Sequence, residues 1–187
     1  MSPTFSAEAV AVPVQIRPLR AVAPRPRLVR PVDAAAPVLR AACLDDVAEM
    51  SALLGRYARQ GLLLPRTETQ ICRNVREFIV AEDELGVAGC GALRLYSPEL
   101  AEIGALAVQE HWQGAGLGRR IVETLLEQAR VLGVRRVFAL TLQEGFFHRL
   151  GFSTVQVSEF PQKVASDCAA CAKRASCIEI AVAIDIA

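Results

Sequence analysis

The sequence predicts a single α/β domain, a mixed sheet of about seven strands with helices on both faces. Three observations predict it. Apolar residues at helical spacing alternate with short runs at strand spacing. From residue 38 onward these segments read βααβββαβαββ. Apolar residues make up 52% of 187 positions and charged residues 22%, which is enough for one real core.

The first strand is residues 38–42. Asp45 or Asp46 then opens a helix whose inner face carries Val47, Met50, Leu53, Leu54 and Tyr57, and Gln60-Gly61 ends it. Residues 62–67 form a loop, and Thr67 with Glu68 opens a second helix reaching about residue 77. Residues 78–82 and 87–96 are strands joined by a tight acidic turn, a hairpin in the simplest reading. Residues 100–108 form the next strand, feeding a glycine-bearing loop and a helix that runs to residue 130. The strand at 135–141 ends in an unbroken apolar run of the kind buried on both faces. A short helix at 146–150, a turn at Gly151 and a strand at 152–157 follow, and residues 178–186 close the chain as a strand.

The first 37 residues differ from the rest: they hold seven of the ten prolines and arginines 17, 20, 25, 27 and 30, without helical or alternating period. They read as an extended or disordered arm, with the folded domain at 38–187. Little serine and no amphipathic period argue against an organelle-targeting peptide, and no apolar h-region supports secretion. No apolar run approaches the ~18 residues a membrane span needs. The net charge of +1 gives no general affinity for nucleic acid. The expectation is a cytoplasmic protein.

Six cysteines fall in two groups. Cys43, Cys72 and Cys90 stand alone in apolar surroundings and are expected to be buried small hydrophobes. Cys168, Cys171 and Cys177 have a spacing that could chelate zinc, with Asp167, a distant cysteine or water completing the set; a reduced or redox-labile loop is the alternative, and no metal is assigned.

One segment states a chemistry. The run Gln113, Gly114, Ala115, Gly116, Leu117, Gly118 and Arg119 lies between a strand end and a helix start. A helix start has N–H groups without intrahelical partners, the dipole there favours negative charge, and glycine lets backbone approach a ligand closely. That combination suits a phosphate-bearing ligand. No Gly-Lys-Ser/Thr follows, and no acidic residue stands among 134–142, so neither a P-loop nor a dinucleotide fold is indicated.

Over residues 99–152 the chain resembles the GNAT superfamily of acyl-CoA-dependent N-acetyltransferases. The residues carrying the resemblance are Gln113-Gly-Ala-Gly116-Leu-Gly118, preceded by Glu102-Ile-Gly-Ala-Leu-Ala-Val108 and followed by Phe146-Phe-His-Arg-Leu-Gly-Phe152. Segments 61–67, 78–83, 89–93 and 137–147 are similar, more narrowly, to the acetyltransferase domain of N-acetylglutamate synthases, which start arginine biosynthesis. Phe160-Pro-Gln-Lys163 and the cysteines after it resemble short, stand-alone relatives. The resemblance implies a GNAT fold with a mostly antiparallel sheet splayed between strands 4 and 5.

It also implies site residues. Acetyl-CoA would place its pyrophosphate on residues 113–119 and its pantetheine arm along Leu106, Ala107 and Val108, with the Val108 amide aimed at the thioester carbonyl. Glu102 matches a glutamate that some members use as general base, through water. It lies six residues before Val108 and is therefore expected on the same face of the strand; pairing with an arginine such as Arg94 is the structural alternative. The family's acid tyrosine aligns with Phe147, which has no hydroxyl. Arg66 matches an arginine with which the synthases hold a substrate carboxylate, and Lys163, in a stretch where relatives place a basic residue, is the second substrate-binding candidate; a solvated surface cation is the alternative for each. His148 and Trp112 are given no role. The implied partner is L-glutamate, a homodimer is possible, and the alternatives are another small or protein amine, or a non-catalytic acyl-CoA- or metal-sensing domain.

Overall fold

Seven strands form one sheet in the order β1-β2-β3-β4-β5-β7-β6 in a computed structural model that describes residues 35–171 and 174–186. The expected arm lies outside the described residues as far as residue 34. The strands are β1 (Val38–Ala41), β2 (Phe78–Asp83), β3 (Gly86–Ser97), β4 (Leu100–Val108), β5 (Arg136–Thr141), β6 (Ser153–Val155) and β7 (Ile180–Asp185). All neighbours are antiparallel except β4 and β5. The closing strand β7 inserts between β5 and β6, an order that strand patterning does not encode.

Helices α1 (Val47–Arg59) and α2 (Glu68–Arg73) cover one face and α3 (Leu117–Val131) the other. Thr67 caps α2, its hydroxyl accepting from the Gln70 amide while Gln70 Oε1 accepts from the Thr67 amide at 2.8 Å. This helix stops sooner than expected, because Asn74 leaves helical geometry at φ −110° and a 3-10 turn fills Val75–Glu77. Met50, Leu53, Leu54 and Ile71 pack on Phe78, Val80 and Cys90 of the sheet. On the other face a Cβ on Gly91 would lie 2.8 Å from Ile121 Cγ2, so α3 rests on bare backbone of β3.

A short helix α4 (Glu144–His148) begins two residues earlier than expected, and β6 is only three residues long. The sequence reading placed no element between 157 and 178. Here α5 (Pro161–Lys163) runs into a π-helical turn (Val164–Cys168). Phe160 anchors it, stacked on Phe138 of β5 with ring centroids 4.0 Å apart.

Of the cysteines expected in the core only Cys90 is buried; Cys43 and Cys72 are exposed. Cys72 follows the inward Ile71 on α2 and so points outward, and Cys43 precedes a surface 3-10 turn. Burial pushes the Cys90 thiol up to about 12, which makes it inert. No helix among the described residues is long and apolar enough to cross a membrane.

Candidate active site

The sheet opens where the site lies. β4 and β5 pair only at Leu100–Arg136, Ala101–Val137 and Glu102–Phe138, although β4 runs on to Val108 and β5 to Thr141. Past Glu102 the two strands diverge, as expected between strands 4 and 5. Their facing N–H and C=O groups have no strand partner there.

Within β4 a bulge sets which groups face the opening. The register with β3 steps between Cys90–Ala107 and Ala92–Gly104, so β4 carries one extra residue there, and Ala105 has φ 50°. The step inverts the alternation. Ala101 and Ile103 pack on the α3 face, as do Leu106 and Val108, while Ala105 and Ala107 pack on the α1 face. The expectation that Glu102 and Val108 share a face is therefore wrong: Glu102 belongs to the α1 side, Val108 to the α3 side.

Gln109 donates its amide to Ala88 O of β3 at 2.8 Å. By alternation the amides of Val108 and Leu106 point the other way, into the opening. This fits the expected strand-like pairing of a pantetheine arm.

A cavity of about 730 Å³ follows residues 104–108, continues along Gln113, Gly114 and residues 116–119, and is closed by the end of β5 and by Phe146 and Phe147. Gly114 and Gly116 have φ 73° and 83°, and Gly116 caps α3. No atom lies within 4 Å of a Cβ built at Gly116, so left-handed backbone rather than space demands glycine there. The first-turn amides of Leu117, Gly118 and Arg119 carry the unpaired donors a diphosphate needs. Arg149 also lines this cavity.

Tyr57 was expected to be an ordinary core residue of α1. Its hydroxyl instead donates to the Val108 carbonyl and accepts from Gln113 Nε2 at 2.6 Å, at the wall of the cavity. Burial raises its pKa. Helical period alone could not separate a tyrosine facing a core from one facing a cleft.

A second cavity of about 330 Å³ lies on the α1 side of the same opening and shares Leu63, Gly104, Ala105, Leu140 and Glu179 with the first. Arg66, Glu102, Lys163 and Asp167 line it. Glu102 and Lys163 are buried, at 7% and 9% exposure. Lys163 Nζ donates to Glu102 Oε1 at 2.8 Å and to Asp167 Oδ2 at 2.9 Å. Tyr96 Oη stands 2.9 Å from Glu102 Oε2 and 2.6 Å from Asp167 Oδ2. Tyr96, two residues after Arg94 and so on the same face of β3, is the extra residue of a second bulge.

Arg94 faces Glu102 across the ladder, yet its guanidinium bonds Asp167 at 2.8 Å and lies 3.7 Å from Glu77. Burial opposes the Lys163 ammonium, but the Glu102 and Asp167 carboxylates outweigh it and hold the pKa above the usual value. Burial likewise opposes the Asp167 carboxylate, but bonds from Tyr96 and Lys163 hold it well below the ordinary range.

Arg66 differs from Lys163, the other cation lining this cavity that is not exposed. Among the described residues it has no ion pair and no side-chain hydrogen bond, and burial, with Arg94 nearby, lowers its pKa. Cys168, Cys171 and Cys177 also line this cavity. Among the described residues no three His, Cys, Asp or Glu side chains come together so as to hold a metal ion, so the zinc option for these cysteines is not assembled; Cys177 Sγ lies against Glu179. Tyr96 and Asp167 were missed as site residues. Asp167 had a signal, four residues after Lys163 on one helical face, which the cysteine pattern masked.

Comparison with known proteins fits this geometry. Residues 74–154 match the acetyltransferase (GNAT) domain. An uncharacterized N-acetyltransferase of Chlorobaculum tepidum is 40% identical over 144 residues, 77% of this chain and 93% of that protein. The chain belongs to the GNAT acetyltransferase family. An amino-acid acetyltransferase of Mycobacterium tuberculosis is 41% identical over 64% of this chain and 70% of its own length. N-acetylglutamate synthase of Neisseria gonorrhoeae, solved with coenzyme A and N-acetyl-glutamate, superposes with a TM-score of 0.74 at 26% identity; the match covers 82% of this chain and 36% of that one. This GNAT domain is thus an acetyl-CoA-dependent acetyltransferase.

Proposed function

We propose that this GNAT enzyme transfers the acetyl group of acetyl-CoA to the α-amine of L-glutamate, the first step of arginine biosynthesis, in the cytoplasm. The observation that carries the substrate is Arg66: a half-buried guanidinium in a cavity wall without a carboxylate partner is suited to bind one. The amino-acid acetyltransferases and N-acetylglutamate synthase among the relatives support the same reading.

Acetyl-CoA supplies an activated acetyl thioester. Residues 113–119 hold its diphosphate, and Leu106, Ala107 and Val108 pair with its pantetheine arm. The Val108 amide, pointing into the opening, stabilises the negative charge that develops on the carbonyl oxygen. Arg66 holds a substrate carboxylate, and Lys163, whose ammonium already meets both Glu102 oxygens and Asp167, lends its positive charge to the acceptor cavity. An ammonium must lose a proton before it attacks, and Glu102, in the wall of the acceptor cavity, takes that proton through water. Phe147 is buried against Phe146 and Phe152 and offers no acid. A thiol leaving group tolerates that near neutral pH.

The test is release of free thiol from acetyl-CoA with a panel of amino acids. Release with L-glutamate well above the other amino acids supports the proposal. Equal release with neutral or basic amino acids, or binding of coenzyme A without turnover, overturns it.

A further inference from the structure

The Tyr96 hydroxyl owns one hydrogen and stands within bonding distance of two carboxylates, Glu102 Oε2 at 2.9 Å and Asp167 Oδ2 at 2.6 Å. While both carboxylates are ionised, one of these contacts contains no hydrogen. Once Glu102 holds a proton, both become hydrogen bonds: Glu102 donates to Tyr96, and Tyr96 donates to Asp167. The arrangement therefore accommodates Glu102 in both states: ionised, it accepts from Lys163 Nζ at 2.9 Å on the same oxygen, and protonated, it donates to Tyr96.

We propose that Tyr96 and Asp167 form the exit by which the proton taken up by Glu102 leaves the acceptor cavity. The inference rests on the reading of Glu102 as base. The O–H bond on Glu102 breaks as one forms on Tyr96 Oη, the original Tyr96 O–H breaks as one forms on Asp167 Oδ2, and Asp167 passes its proton to water. Glu102 and Tyr96 end as they began, and no other bond changes.

Burial gives the relay a reason to exist. The Glu102 side chain is 9% exposed, whereas that of Asp167 is 31% exposed, so the first needs a route to solvent and the second has one. Lys163, bonded to both carboxylates, keeps them at fixed separation with Tyr96 between. Arg94, from β3, bonds the same Asp167 oxygen at 2.8 Å, and Arg66 faces the group from the loop before α2. This surplus of positive charge keeps Asp167 from retaining the proton it receives. Glu77, beside Arg94, is the other carboxylate nearby.

The experiment compares wild type, Tyr96→Phe, Asp167→Asn and Glu102→Gln by steady-state kinetics at fixed pH and ionic strength, with calorimetric binding of coenzyme A as the test of folding. Tyr96→Phe and Asp167→Asn should lower kcat by about ten- to a hundredfold, within the span of a proton-transfer contribution. KM for both substrates should stay within about twofold. Increasing imidazole concentration should restore much of the loss in Asp167→Asn, because a small base replaces a missing proton carrier but does not repair misplaced groups. An unchanged kcat in Tyr96→Phe, or a loss in Asp167→Asn that imidazole leaves untouched, overturns the relay. Should a variant fail to bind coenzyme A, the wild-type enzyme decides: a curved dependence of kcat on deuterium fraction marks several protons in flight, and a linear one overturns the relay. Full activity in Glu102→Gln instead removes Glu102 as base, a failure of the underlying reading and distinguishable from the others.

Discussion

Glu102 and Val108 stand on opposite faces of β4 because the bulge at Ala105 adds one residue between them. The strand thereby presents an amide to one cavity and a carboxylate to the other. The proposed reaction uses both at once, with the thioester carbonyl and the incoming nitrogen approaching from different sides.

The bulge is open to direct test. Ala105 is an L-residue held at positive φ, a conformation costing ~1–2 kcal/mol, about what glycine would give back in chain entropy. Ala105→Gly should leave thermal stability within about 1 kcal/mol and kcat within about twofold. Ala105→Val, β-branched and buried at 8% exposure, should lose ~1–3 kcal/mol and most activity. Thermal melts and thiol release check both.

In the proposed mechanism Val108→Pro removes the donor to the thioester carbonyl, and it spares pairing with β3 because that amide faces away from it. The expected loss in kcat is on the order of 10² to 10³, against little change in Val108→Ala. Equal behaviour of the two variants would place the oxyanion donor elsewhere.

Arg66→Ala should raise KM for glutamate by about ten- to a hundredfold, the value of a hydrogen bond between charged groups, while KM for acetyl-CoA changes little. Equal effects on both would show that Arg66 supports the fold rather than the substrate.

Lys163→Ala leaves Glu102 buried with only a hydroxyl for company. Breaking a buried pair in this way costs roughly 3–5 kcal/mol, or some 6–20 °C in Tm for a chain of this size. Differential scanning calorimetry checks it, and an unchanged Tm would mean that the pair contributes nothing to the fold.

The acid limb of stability should have an identifiable source. Arg40, bonded at 2.7 Å, outweighs burial and holds Asp46 down to about 2. A carboxylate depressed in the fold lends stability that is complete above its unfolded pKa, about 3.9, and is lost as pH falls toward 2. Asp167, depressed further, extends the loss to lower pH. Lys163 works in the opposite sense, its raised pKa lending stability that disappears only as pH rises past the ordinary lysine range. Asp46→Asn should be less stable than wild type at pH 6, and the gap should close between about pH 4 and 2 in denaturant titrations.

Much of this was legible in the sequence because it is local. The glycine loop, the Thr67 cap and the apolar faces of α1 and α3 are written in neighbouring residues, and the family resemblance located the splay and Arg66. What the sequence did not disclose depends on register or on long-range contact. A bulge leaves no mark in period-two patterning until its partner strand is known, so the faces of Glu102 and Val108 were misread. Tyr96 and Asp167 lie 71 residues apart and meet only because α5 packs back on β5 through Phe160. Lys163 reads in sequence as a candidate substrate ligand; the fold shows its ammonium committed first to Glu102 and Asp167.

The most direct measurement is a crystal structure of the protein with coenzyme A and L-glutamate. The account predicts the diphosphate on the amides of residues 114–119, the pantetheine arm along 106–108, and a glutamate carboxylate on Arg66, with its amine on the Glu102 side of the opening. A diphosphate bound elsewhere, or glutamate seated away from Arg66, would contradict it.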